Sequence, residues 1–207
     1  MEKLGALLLV FLGLLVTASQ TVLASDPDLT TDFDVSNPTA ANFTFTGFRN
    51  PKQQPKGMAL PTFAAFDMGL PGLTGLGLTA VLFEFGPYSQ INPHTHPRAT
   101  EVFYVLTGCI DVGFVDTNNT LFQASLEVGD IFVFPKGLLH FQRNNQNYPA
   151  SGYSVLSSES PGILQVVSAL FTSSGTGLPD NVLESAFGTN ARAINKIKKS
   201  LGDTWTS

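Results

Sequence analysis

Residues 43–173 are divided into short apolar runs by turn residues at close intervals, and that spacing leaves no room for a fold built on long helices. The runs include residues 76–85, 101–106, 110–115, 131–134 and 162–171. Between them stand Gly86-Pro87, Thr107-Gly108, Asn118-Asn119, Gly129-Asp130, Pro135-Lys136-Gly137 and Asn144-Asn145-Gln146-Asn147. These residues either take positive φ or close turns with their own side chains. Short strands joined in this way predict an antiparallel barrel or sandwich. The length of 207 residues is enough for one domain with a full core. No fixed-period repeat or low-complexity tract interrupts it.

The last thirty or so residues change character. Gly175 to Pro179 reads as a linker, and Asp180 can cap a short helix with Val182, Leu183, Ala186 and Phe187 on one face. Gly188 ends it. Thr189 can cap a second helix, with Ile194, Ile197 and Leu201 in one stripe and Gly202 as its stop. Two such helices cannot bury their faces on each other alone, so they must pack on the barrel or on a neighbouring subunit. The expected fold class is therefore all-β, with a β-barrel domain over 25–175 and two short C-terminal α-helices in an extension over 176–207.

Residues 1–24 read as a secretory signal peptide. Met1-Glu2-Lys3 is a short charged start, Leu4 to Val16 is apolar apart from glycine, and Val22-Leu23-Ala24 suits cleavage before Ser25. The apolar run is shorter than the ~20 residues that a membrane span needs, and no later stretch qualifies. Two glycosylation sequons agree with secretion, at Asn42 and Asn118. Asn118 falls in a hairpin turn and should be exposed, whereas Asn42 opens an alternating strand containing Phe43 and Phe45. Cys109 is the single cysteine, which excludes an intrachain disulfide and suits a small buried hydrophobe. A net charge of -5 and a pI near 5.0 leave no electrostatic footprint for nucleic acid. The basic residues Lys196, Lys198 and Lys199 read as a solvated helix face.

All three histidines fit one metal-ligand arrangement. His94 and His96 are two residues apart, so a strand points both imidazoles the same way. Glu101 follows a break at Pro97 and opens a strand whose Phe103 and Val105 share its face. His140 lies in a separate hairpin. Three neutral imidazoles and a carboxylate leave two octahedral positions open for water, substrate or dioxygen. Zinc fits this set less well, because its catalytic sites usually take three protein ligands and its structural sites favour thiolates. No general base is identifiable.

The stretch Gly86 to Glu101, GPYSQINPHTHPRATE, followed by Gly108, resembles the first cupin motif. Gly129 to Gln142, GDIFVFPKGLLHFQ, resembles the second. Both strings, and the segment SDPDLTTDF from Ser25, are similar to those of plant germins and germin-like proteins. The resemblance covers the whole chain after the signal peptide. It implies a jelly-roll cupin holding one manganese ion per subunit through His94, His96, Glu101 and His140. It also implies a homo-oligomer, a hexamer built as a trimer of dimers with helices clasping neighbours, in the plant apoplast.

Two departures from the family stand out. Germins carry an N-terminal cysteine pair; here Asp34 follows TTDF, and the region of Asn50-Pro51-Lys52 has no cysteine. Oxalate-oxidising germins resemble one another in two asparagines near the metal, and the matching positions here are Val81 and Ile91. An asparagine amide can hydrogen-bond a bound carboxylate, whereas an aliphatic side chain cannot. Asn92 points to the other face if its strand is regular. The expected activity is therefore that of a manganese oxidoreductase, closer to superoxide dismutase than to oxalate oxidase. The alternatives are a non-catalytic wall, defence or ligand-binding protein with a structural metal and, more weakly, nucleotide-sugar hydrolysis.

Overall fold

The computed structural model describes residues 26, 28–65, 67–172 and 177–202. The expected signal peptide and cleavage before Ser25 fall outside the described residues. Strands β1 (Ala59–Ala64), β2 (Thr79–Phe85), β9 (Ala150–Leu156), β4 (Glu101–Thr107) and β7 (Ile131–Phe134) form one sheet, in the order β1-β2-β9-β4-β7. The second sheet has the order β10-β3-β8-β5-β6, from β10 (Leu164–Gln165), β3 (Gln90–Thr95), β8 (Leu139–Arg143), β5 (Ile110–Val115) and β6 (Leu121–Leu126). Every pairing is antiparallel.

Alternation along the strands decides which side chains meet. In β4, Glu101, Phe103 and Val105 are buried while Val102, Tyr104 and Leu106 face outward. The inner faces of both sheets supply one core: Val81, Phe83, Phe103 and Phe134 from the first, Ile110, Val112 and Leu126 from the second. Phe103 is fully buried, worth about 2–3 kcal/mol by area transfer. It has room only because residue 152 is glycine, where an added Cβ would come within 2.2 Å of the Phe103 ring.

The described residues include three α-helices, one more than the sequence predicts. Residues 162–171 do not continue as a strand. Only Leu164 and Gln165 pair, and α1 (Val166–Phe171) then packs on β3. The other two helices, α2 (Asp180–Phe187) and α3 (Ala191–Gly202), form in the expected stretches, and Gly188 ends α2 at φ 58°. Asp180 does not cap α2: Pro179 stands at the N-cap, and the Asp180 carboxylate pairs with Lys198 instead. Asn190, not Thr189, caps α3, its Oδ1 accepting from the Ala193 N–H at 3.2 Å. Leu183 and Ile194 are buried, and α3 packs on both α1 and α2. Among the described residues no helix is long and apolar enough to cross a membrane.

The expected strand at Asn42 is also corrected. Ala40–Phe43 is a 3₁₀ turn in which Asn42 Oδ1 accepts from the backbone N–H and the hydroxyl of Thr39, both at 2.9 Å. Aromatic contacts anchor this N-terminal segment. Phe33 meets Phe43 edge-on at 5.4 Å, and Phe45, Phe48 and Tyr153 form a chain of rings. Asn118 is exposed in the β5–β6 hairpin, as expected, where Asp116 Oδ1 accepts from the N–H groups of Asn118 and Thr120. Cys109 is half-buried; burial, then the charges of Asp111, Glu127 and Asp130, push its thiol pKa up.

Candidate metal centre

His94 on β3 and His140 on β8 are direct partners across the second sheet. Glu101 opens β4 in the first sheet, and His96 lies just beyond β3. The four predicted side chains converge in the interior, all buried, with one ligand atom from each lying within 4.8 Å of the others. Their Nε2 and carboxylate atoms point inward. Glu101 Oε2 is 3.3 Å from both His96 Nε2 and His140 Nε2.

The outer ring nitrogens fix this orientation. His94 Nδ1 lies 2.8 Å from the Asn92 carbonyl, His96 Nδ1 2.6 Å from the Gly162 carbonyl, and His140 Nδ1 2.8 Å from the Leu138 carbonyl. A carbonyl only accepts, so each Nδ1 carries the proton, and it is Nε2 that presents a lone pair when the ring is neutral. Glu101 is held in the same manner. Its Oε1 accepts from Ser154 Oγ at 2.6 Å and Gln142 Nε2 at 3.2 Å, which leaves Oε2 for the centre.

Glu101 Oε2 and His140 Nε2 are fully buried without a hydrogen-bond partner. Three lone pairs and a carboxylate oxygen facing one point repel each other unless a cation lies between them, and buried acceptors are rarely left unpaired. This donor set could hold a divalent metal ion. Burial, then the neighbouring His140, lowers the His94 pKa to about 4, so its imidazole is neutral and able to ligate at neutral pH. Burial alone would raise the Glu101 pKa, but the His140 and His96 rings beside Oε2, and the Ser154 hydroxyl that donates to Oε1, outweigh it and hold the carboxyl well below its usual range.

Residues 46–195 match the Cupin family. Germin-like protein 9-3 of Oryza sativa subsp. japonica is 38% identical, over 94% of this chain and 95% of its own. Germin-like protein subfamily 2 member 1 of Arabidopsis thaliana is also 38% identical, over 92% and 94%. The chain belongs to the germin-like proteins of the cupin family. Among solved structures, this germin-like chain superposes on oxalate oxidase with a TM-score of 0.76 and 29% identity, covering 85% of this chain and 98% of that one. It also matches Peruvianin-I, described as a cysteine peptidase from Thevetia peruviana latex, at TM-score 0.62 and 29% identity, over 69% and 98%.

Several residues supporting the germin-like centre escape sequence reading. Gln142 had a signal, since it lies two residues past His140 on β8 and shares its inward face. Ser154 had none, because β9 carries no polar motif. His96 depends on the loop before β10. There Arg98 donates through Nε to the Ser160 carbonyl at 2.5 Å and through its backbone N–H to the Pro161 carbonyl at 3.1 Å. Gly162 sits at φ 65°, and a Cβ there would come within 2.8 Å of the Arg98 guanidinium. Arg98→Ala should therefore loosen the carbonyl that orients His96 and weaken metal affinity by roughly 10–100-fold while the fold persists. Competition with a metal chelator, followed alongside circular dichroism, checks this.

β3 is not regular. Its register shifts between Ile91 and His94, a bulge that includes Pro93. The regular strand on which the expectation for Asn92 depended is therefore absent, and Asn92, Val81 and Ile91 all line one open cavity with His94 and His96. Gln90 Nε2 donates to Asn92 Oδ1 at 2.7 Å and orients its amide.

Proposed function

We propose that this germin-like chain is a secreted manganese oxidoreductase of the plant apoplast, acting on a small oxygen species in the manner of superoxide dismutase. The observation that carries this reading is the pair of orphaned buried acceptors, Glu101 Oε2 and His140 Nε2, in a cluster whose His94 and His96 line an open cavity. A hard-to-soft mixture of one carboxylate and three imidazoles, with positions left open, suits a redox-active first-row ion. When bound, manganese would supply the one-electron chemistry. The chain's own part is to hold three neutral imidazoles in one tautomer, to offset charge through Glu101, and to keep an apolar approach to the ion.

A cysteine-peptidase activity finds no support here. The Cys109 thiol is pushed away from the thiolate, and all three histidines already belong to the metal cluster. A structural metal remains the second reading, favoured by one observation: the ligands come from both sheets, so an ion would pin them together. Metal analysis of protein from its native source, followed by a superoxide assay at known occupancy, separates the two. Full manganese occupancy without dismutation would leave the structural reading.

Oligomer formation belongs to the same proposal. The outer face of the first sheet exposes Val102, Tyr104, Leu106, Ile131 and Val133, and Val182, Phe187 and Ile197 are exposed on the helices. Apolar residues grouped in this way mark association surfaces and suit the hexamer. Glycosylation at Asn118, and with less room at half-buried Asn42, agrees with a secreted protein.

Little oxalate oxidation is expected even with manganese fully loaded. Val81 and Ile91 form apolar cavity wall, and the Asn92 amide at the bulge does not replace two wall asparagines. A buried carboxylate oxygen left unpaired costs about 2–7 kcal/mol, which reaches a thousandfold in rate or more. Peroxide release from oxalate measures this, with a Val81→Asn, Ile91→Asn double variant alongside. Robust turnover by the unaltered protein would contradict the reading.

A further inference from the structure

We infer that the cavity above the metal centre binds a small monocarboxylate with a branched or aromatic apolar tail. Its carboxylate would sit toward the metal centre, on the side where His94 and His96 line the cavity, and its tail against Val81, Phe83, Ile91, Leu156 and Ile163. The inference rests on the metal reading above and deepens it by naming the class of ligand.

Charge selects the head group. A divalent ion held by three neutral imidazoles and one carboxylate keeps one uncompensated positive charge in a buried site. A monoanion neutralises it, whereas a dianion would overshoot and leave a net negative charge among apolar walls. Superoxide carries the same single charge as a monocarboxylate. No lysine or arginine lines the cavity, and its polar side chains other than the histidines are the neutral amides of Gln90, Asn92 and Gln165. Arg98 lines a neighbouring cavity instead, and its guanidinium is engaged by Ser160. A second carboxylate would therefore meet no cation.

Shape selects the tail. The cavity encloses about 200 Å³, and an apolar cavity of about 150 Å³ is enough to take benzene. Two walls come from the first sheet, with Val81 and Phe83 on β2 and Leu156 on β9. Ile91 closes the side toward the bulge. Ile163, at the mouth, is 51% exposed and would be covered by a bound tail. Each methylene moved from water to such walls adds about threefold to fourfold to affinity, so a three-carbon branched tail should add tenfold or more.

The test uses the full mature protein loaded with manganese, with 3-methylbutanoate, benzoate, acetate and oxalate as probes in titration calorimetry. The expected result is binding of 3-methylbutanoate and benzoate at least about tenfold tighter than acetate, with oxalate no tighter than acetate. Ile163→Ser, a change at an exposed position that leaves the core intact, should reduce the preference for 3-methylbutanoate over acetate severalfold at unchanged metal stoichiometry. Chelated, metal-free protein should lose carboxylate binding. Equal affinities for acetate and 3-methylbutanoate in protein carrying one metal per chain would overturn the inference alone. So would tighter binding of oxalate, or binding that survives metal removal. Protein that takes up no metal at all would overturn the metal reading and this inference with it.

Discussion

His140→Ala is expected to remove most of the bound metal and to lower the melting temperature at the same time. His140 Nε2 faces Glu101 Oε2 at 3.3 Å, its Nδ1 is set by the Leu138 carbonyl, and its ring stacks on Phe134 at 4.6 Å between centroids. Alanine deletes a ligand, so affinity should fall by more than the roughly 10–100-fold that losing a supporting partner costs. An ion that binds only the folded chain stabilises it by about 4 kcal/mol when present at a thousand times its dissociation constant. For a domain of this size that corresponds to about 10 °C in Tm. Alanine also leaves a cavity beside Phe134, which would destabilise the protein without any metal. Chelation separates the two effects: it should lower the Tm of the parent protein and barely move that of the variant. Unchanged metal content in the variant would remove His140 from the ligand set.

The centre was legible because its residues obey the strand period of two. His94 and His96, Glu101 with Phe103 and Val105, and His140 with Gln142 each share a face for that reason alone. The errors have equally local causes. Residues 162–171 form an apolar run without alternation, which cannot distinguish a strand from a buried helix, and packing on β3 decides for α1. Asn42 offered a side-chain cap that outweighs the alternation of Phe43 and Phe45. The bulge beside the site has a local signal in the sequence. Pro93 cannot donate to the ladder, and β3 has neighbours on both sides, so a proline there marks an irregularity. Ser154 reaches Glu101 over 53 residues of sequence and the Gly162 carbonyl reaches His96 over 66, and no local pattern encodes such contacts.

In the metal-free protein, stability should fall steeply as the pH drops from 6.5 toward 4. Burial, reinforced by the neighbouring His140, lowers the His94 pKa from 6.5 to about 4, against the opposing hydrogen bond to the Asn92 carbonyl. The sign follows from proton binding. Between those two values the unfolded chain carries a proton on His94 that the folded chain does not, so acid favours unfolding. The contribution is fully present above 6.5 and is lost as the pH falls to about 4. The span corresponds to about 3 kcal/mol. Glu101 acts in the same direction at lower pH. Its carboxyl is held below the ordinary range in the folded state, so the stability it contributes is lost as the unfolded carboxylate begins to take up protons. Metal binding should steepen the profile further, because the same Nε2 lone pairs cannot hold a proton and an ion together. Urea unfolding at several pH values between 4 and 7, with and without chelator, measures both terms. His94→Gln should flatten the upper part of the chelated curve, since glutamine does not titrate. A parent protein equally stable at pH 4.5 and pH 7 without metal would show that His94 is not buried in neutral form and that the centre is less closed than its geometry indicates.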